Sequence, residues 1–232
     1  YLIIIFQVVV MKLSTVFAGL TLLHSCGAYA LDVGEINVFI PTNTNKVTKE
    51  IKNTSNSGRF VRIEVEKISS PLASGQVIEM DSKNEILFTP ANLVLPVGTD
   101  NLVTFIYNGP QDNIERYYRL VWTEESLNNN NPYLAGKSAT ITTSITLQTI
   151  LVVSPRKEIF SHQLTKGKLT NTGNASYQVD AYGTCLDKSK TDTCKETYFV
   201  LPGNSQSFKL VDANDDKSHV VIWHNQEFTP AK

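Results

Sequence analysis

Beyond residue 31 the apolar positions recur with a period of two. Phe60 to Ile68 shows this most clearly, with Val61, Ile63 and Val65 alternating against Arg62, Glu64 and Glu66. That is the signature of a strand with one face inside and the other in water. Val33 to Ile40 and Val47 to Asn53 read as strands before it. Short runs at Ile86 to Phe88 and Leu93 to Leu95 flank Thr89-Pro90, Pro96-Val97-Gly98 is a turn, and Leu102 to Tyr107 and Arg116 to Trp122 follow. A polar loop from Glu124 to Lys137, with four consecutive asparagines, leads into one long strand, Ala139 to Val153. Helical periodicity is nearly absent, so the fold class is all-β.

So many short strands between Gly, Pro, Asn and Ser punctuation predict a sandwich of the immunoglobulin type over residues 31–154. Pro155 ends the long strand, and a smaller β-set follows over residues 155–232. In it Leu169 to Asn174 runs into a turn, Tyr177 to Tyr182 is a strand, and Cys185 to Cys194 forms a hairpin tip. Tyr198 to Leu201, Ser207 to Leu210 and Val220 to Trp223 complete the set. A linker this short predicts two sandwiches held in fixed relation.

Residues 1–30 have a different pattern. Met11-Lys12 precedes an apolar run from Leu13 to Leu23 and the small-residue triplet Ala28-Tyr29-Ala30. This predicts a secretory signal peptide that starts at Met11 and is cleaved after Ala30, with residues 1–10 an upstream extension. A lipoprotein site at Cys26 fits less well, because His24 is a poor neighbour for it. The exported chain keeps Cys185 and Cys194, which are expected to pair in an oxidising compartment, since no Cys or His with zinc spacing lies nearby. Composition narrows the partners further. A formal net charge of -1 and a pI near 6.5 leave no basic stripe for nucleic acid. A mean hydropathy of -0.12 excludes a multi-span membrane protein, and the mature chain is expected to make no stable membrane insertion.

Catalytic constellations are missing from the sequence. His162, His219 and His224 have no organised partner, and Asp212, Asp215 and Asp216 lack the Gly and closing Glu of a calcium loop. Glu124 and Glu125 are adjacent on a strand end, so they point to opposite sides and cannot flank one glycosidic bond. No enzyme activity, metal or cofactor is expected.

The segment Ala139 to Val153 is the most informative. At about 3.3 Å per residue it would run close to 50 Å, against the usual ~20 Å of a globular strand. Ile141, Thr143, Ile145, Leu147, Thr149 and Leu151 share one parity, and Thr142, Ser144, Thr146 and Gln148 share the other. Two readings fit this pattern. The excess length is either an edge strand offered to a partner that lacks one, with roughly 5 to 9 kcal/mol gross from Ile141, Ile145 and Leu147, or a core strand with a frayed start.

Beyond these patterns, the chain resembles a known family. LDVGEINVF, SGRFVRIEVEKISSPL, LFTPANLVLPVG, YNGPQDNIERYYRLVW, TILVVSPR, LTNTGNA, AYGTCL, CKETYFVLPG and IWHNQEF follow one another along the mature chain. In these segments it resembles the periplasmic chaperones of chaperone-usher pili, in the alternative branch that includes the chaperone of the enterobacterial common pilus. The resemblance implies two immunoglobulin-like domains set in an L, and a strand, here Ala139 to Val153, donated to pilin subunits whose own sandwich lacks one. Ile141, Thr143, Ile145, Leu147 and Thr149 match the donor positions, and an outer-membrane usher would receive the subunit without nucleotide. Most of the family holds the subunit's C-terminal carboxylate with a Lys in the long strand and an Arg in the first. Here Gln148 to Val152 and Glu35 to Val38 carry no cation, so Arg119, and after it Arg116, become the candidate anchors. The competing expectation is an extracellular β-sandwich structural or carbohydrate-binding, adhesin-like protein. A pilin, however, would lack its own last strand and have no second domain after an overlong internal one.

Overall fold

A computed structural model describes residues 31–127, 144–189, 193–224 and 227–232. The first half comprises β1 (Leu31–Asp32), β2 (Asn37–Ile40), β3 (Lys46–Asn53), β4 (Gly58–Ile68), β5 (Ile86–Thr89), β6 (Asn92–Leu95), β7 (Asp100–Tyr107), β8 (Arg116–Leu127) and β9 (Ser144–Val153). They make two sheets, ordered β1-β3-β7-β5 and β2-β9-β8-β4-β6. All pairings are antiparallel except β2 with β9. The period-two pattern has the consequence it predicts: Val61 and Ile63 of β4, Phe105 of β7, Tyr118, Leu120 and Trp122 of β8, and Leu151 of β9 point into one buried core.

The second half comprises β10 (His162–Thr165), β11 (Lys168–Asn171), β12 (Tyr177–Gly183), β13 (Cys194–Val200), β14 (Ser205–Ser207), β15 (His219–His224) and β16 (Glu227–Pro230). Its sheets are ordered β10-β11-β14 and β13-β12-β15-β16. Leu169, Tyr177, Val179, Val220 and Ile222 lie in a second core that shares no residue with the first. The fold is all-β, two immunoglobulin-like sandwiches, with no helix among the described residues. Cys185 and Cys194 are disulfide-bonded where the β12–β13 hairpin leaves the sheet.

Several elements differ from the sequence expectation. Val33 to Ile40 is not one strand. The chain turns at Gly34, whose φ of 64° is in the left-handed region glycine tolerates, and the Asp32 carboxylate accepts the Gly34 N–H at 2.8 Å. β1 therefore joins β3 in one sheet while β2 crosses to β9 in the other. Strand β8 continues through Glu124, which was expected in a loop. Glu124 is fully buried, its oxygens lack hydrogen-bond partners among the described residues, and Arg59 Nε stands 3.8 Å away. Residues 139–143 of the long strand, with Ile141 and Thr143, lie outside the described residues, as do residues 1–30.

Contacts between the sandwiches centre on the short segment before β8. Arg156 N–H donates to the Asp112 carbonyl (2.8 Å), Lys157 N–H to Asn113 Oδ1 (3.0 Å), and Asn174 Nδ2 to the Asn113 carbonyl (3.0 Å). Ser176 N–H donates to Glu115 Oε2 at 2.8 Å.

Candidate functional site

Strand β9 is covered unequally on its two edges. β8 pairs with it along its whole described length, Arg116↔Val153 to Glu125↔Ser144. On the other side β2 pairs only with Ile150 to Val153. The Ile150 N–H donates to the Ile36 carbonyl (2.7 Å) and the Ser154 N–H to the Ile40 carbonyl (3.0 Å), so even-numbered backbone groups face the β2 side. By the two-residue period, the N–H and C=O groups of Gln148, Thr146 and Ser144 face the same side, where no described strand meets them. This is an unpaired edge, which sheet proteins otherwise cover or charge.

Side chains along β9 grade from core to solvent. Leu151 and Val153 are buried, Leu147 is half-buried against the first core, and Ile145 is 38% exposed. Thr149 departs from the expectation that it is a donor position. It is 2% exposed, and its Oγ1 accepts the Trp122 Nε1–H at 2.9 Å. Its side chain thus belongs to the chain's own core and is not available to a client. Parity told which side Thr149 faces but not where the sandwich ends.

The two arginines have separate roles. Both Arg116 Nη atoms are committed to the Asp112 carboxylate, at 2.6 and 2.7 Å, and Nη1 also reaches the Ile114 carbonyl. That guanidinium holds the Asp112 carboxyl down at about 2. Its planar fork is filled, and it braces the segment that contacts the second sandwich. Arg119 instead projects from the outer face of its sheet and, among the described residues, makes one bond, to Glu66 at 3.2 Å. The registers align Asn37, Ile150, Arg119 and Glu66 as one row across four strands. Arg119 therefore stands about 10 Å, two strand spacings, from Asn37.

Asn37 lines a cleft between the sandwiches with a volume of about 630 Å³. Glu35 and Phe39 form its wall on the first sandwich, and Tyr177, Gln178, Phe199, Trp223 and His224 on the second. Glu115 lies in its floor, where burial pushes the carboxyl up against the opposing bonds from the Tyr117 hydroxyl and Ser176, and nearby Glu158 adds to the rise. His224 was expected to have no organised partner. Its Nε2 is 2.6 Å from Glu158 Oε1, and its ring stacks on Phe160 with centroids 4.9 Å apart. Sequence reading did not identify the lining of this cleft, because its members come from both halves of the chain and share no local pattern.

A two-sandwich molecule with one strand half uncovered has the architecture of pilus chaperones, and solved structures agree. The class 5 fimbriae chaperone CfaA superposes with a TM-score of 0.54 at 17% identity, covering 88% of this chain and 99% of CfaA. A chain of the Salmonella enterica SafA pilin–SafB chaperone complex gives 0.51 at 14%, covering 86% and 92%. Sequence relatives are nearer. The probable fimbrial chaperone EcpB of Klebsiella pneumoniae subsp. pneumoniae is 43% identical over 96% of this chain and 100% of its own length, and that of Escherichia coli K12 is 42% identical over 96% and 98%. Residues 160–231 match the EcpB C-terminal domain model. The chain belongs to the EcpB family of fimbrial chaperones.

Proposed function

We propose that this chain is a non-enzymatic periplasmic chaperone that holds incomplete pilin subunits by lending them β9 and passes them to an outer-membrane usher. The observation that carries the reading is the open edge of β9 from Ser144 to Thr149, continuous with a segment anchored in the first core. Backbone groups of Ser144, Thr146 and Gln148 would supply the ladder. Ile145 and Leu147, with Ile141 and Thr143 beyond them, would supply side chains to the subunit's groove, each buried apolar one contributing about 1.5–3 kcal/mol. Residues 31–154 form the strand-donating domain and 155–232 the second, after a leader cleaved at Ala30 directs export.

Arg119 is the anchor we assign to the subunit's C-terminal carboxylate. It is next in the row after Asn37 and Ile150, and its bond to Glu66 is exchangeable for a stronger bidentate one. The test is co-expression with the cognate pilin and gel filtration of a periplasmic extract. Wild type should elute with a stoichiometric pilin. Ile145→Glu should elute alone with an unchanged circular dichroism spectrum, and undiminished complex from that variant would refute strand donation.

A further inference from the structure

We infer that β2 is a strap pinned at both ends by cations, Lys49 before it and Arg156 after it, and that these are positioning residues for capture: they fix where the open edge of β9 ends. This rests on the strand-donation reading and adds what sets the length of the donated edge. A strap of this kind needs pins. β2 is four residues long, only Ile40 among its side chains is buried, and among the described strands it pairs with β9 alone, in parallel. Parallel pairing is the slightly weaker ladder.

Each cation grips the chain one residue outside a bond that closes one end of the β2–β9 ladder. At the first end the Ile36 carbonyl accepts the Ile150 N–H. Lys49 belongs to β3 in the opposite sheet, yet it is only 6% exposed, and its ammonium donates to the Glu35 carbonyl. A lysine is seldom buried to this degree, and here it holds backbone. At the second end the Ile40 carbonyl accepts the Ser154 N–H. Arg156, in the linker just beyond β9, sends Nη1 into the loop that leaves β2. There it donates to the carbonyls of Thr44 (2.6 Å), Thr42 (3.2 Å) and Pro41 (3.5 Å). Its Cζ lies 5.7 Å from the centre of the Tyr107 ring, within cation–π range, and its backbone N–H is bonded to the Asp112 carbonyl. Arg156 therefore ties the linker, the end of β7 and the exit of β2 together. If β2 peeled away, the open edge would lengthen by the four positions Ile150 to Val153. A client displaced along it by two residues would keep its side chains on the correct face, so burial would not reject it. A pinned β2 does.

Hydrogen exchange of single amides, read by NMR on the free chain, tests the pins. Methionine at either site keeps an apolar stem and removes the charge. In Arg156→Met the Ser154 N–H should exchange about tenfold faster with little change at Ile150, and in Lys49→Met the reverse. The Leu151 N–H faces β8 by the alternation along β9 and should keep its wild-type rate in both. Equal acceleration of all three amides, or unchanged rates at Ser154 and Ile150, would overturn the pinning. If a methionine variant does not accumulate, Arg156→Lys decides: it keeps one donor for the same carbonyls, so Ser154 should exchange faster than in wild type, by less than tenfold, with Leu151 unchanged. The client is tested by disulfide trapping of a cognate pilin that carries one cysteine in its pairing segment. Its partner is a cysteine placed in turn at Ser144, Thr146 or Gln148, since Cys185 and Cys194 are already bonded to each other. Wild type should be trapped at one of the three positions and Lys49→Met/Arg156→Met at two or more. Trapping of that double variant at a single position would overturn the positioning role. Ile145→Glu separates the two levels: its free chain should keep the wild-type exchange pattern and lose pilin capture. Capture that survives Ile145→Glu overturns strand donation, whatever holds β2.

Discussion

At Glu196 a single carboxylate receives three consecutive backbone N–H groups, Lys209 and Leu210 at 2.9 Å and Val211 at 2.7 Å, together with the Tyr198 hydroxyl at 2.6 Å. Burial works to raise its pKa, but these donors outweigh it and the pKa is lowered. A carboxyl depressed by folding stabilises above its ordinary value, and that stability is lost as pH falls through the depressed one. Glu196→Gln should cost about 2 kcal/mol at pH 7, because a neutral amide oxygen cannot satisfy all three donors. Thermal melts should show the gap from wild type closing below about pH 4.5. Arg119→Ala belongs to the same scale. Its own partner is a half-exposed Glu66, so melting should barely change, while complex yield with pilin should fall about tenfold, the worth of one charge-assisted bond.

Among the elements, β9 yields a prediction that side chains alone do not. The Thr146 N–H faces the open edge and the Leu147 N–H faces β8, by the alternation that Ile150 and Ser154 establish. Thr146→Pro should therefore leave the β8–β9 ladder whole and abolish pilin capture, whereas Leu147→Pro should lower the melting temperature as well. Circular dichroism melts beside gel filtration separate the two. Sequence showed β9 clearly, because apolar and polar positions alternate as far as Gln148 and an unbroken apolar run, Ile150 to Val153, follows. It did not show the break at Gly34, since Val33, Ile36, Val38 and Ile40 read as one run until a positive φ divides them between sheets. Strand β16 was missed because Glu227–Pro230 is short and half polar. Thr149 was misassigned because a buried hydroxyl bonded to Trp122 looks identical in sequence to an exposed one.

For the whole molecule, the relation between sandwiches depends on few groups. Asn113 accepts and supports bonds from Lys157 and Asn174, and Glu115 takes the Ser176 N–H. Removing the clamp with Asn113→Ala and Asn174→Ala should leave each core intact and loosen their mutual orientation. Small-angle scattering should then show a larger maximum dimension, and pilin capture should weaken although β9 is untouched. None of this clamp was legible beforehand, because Asn113 sits in a polar stretch that reads as an ordinary turn.

Strand β2 has a consequence for register. It occupies the last four positions of β9 and begins at Asn37, so an incoming chain sliding along the edge meets a doorstop made of the chaperone's own backbone. A one-residue slip in a sheet turns every side chain to the wrong face. A fixed stop removes that error without any sequence-specific contact. The chaperone can thus be indifferent to much of a subunit's sequence and still hand over each one in the same frame.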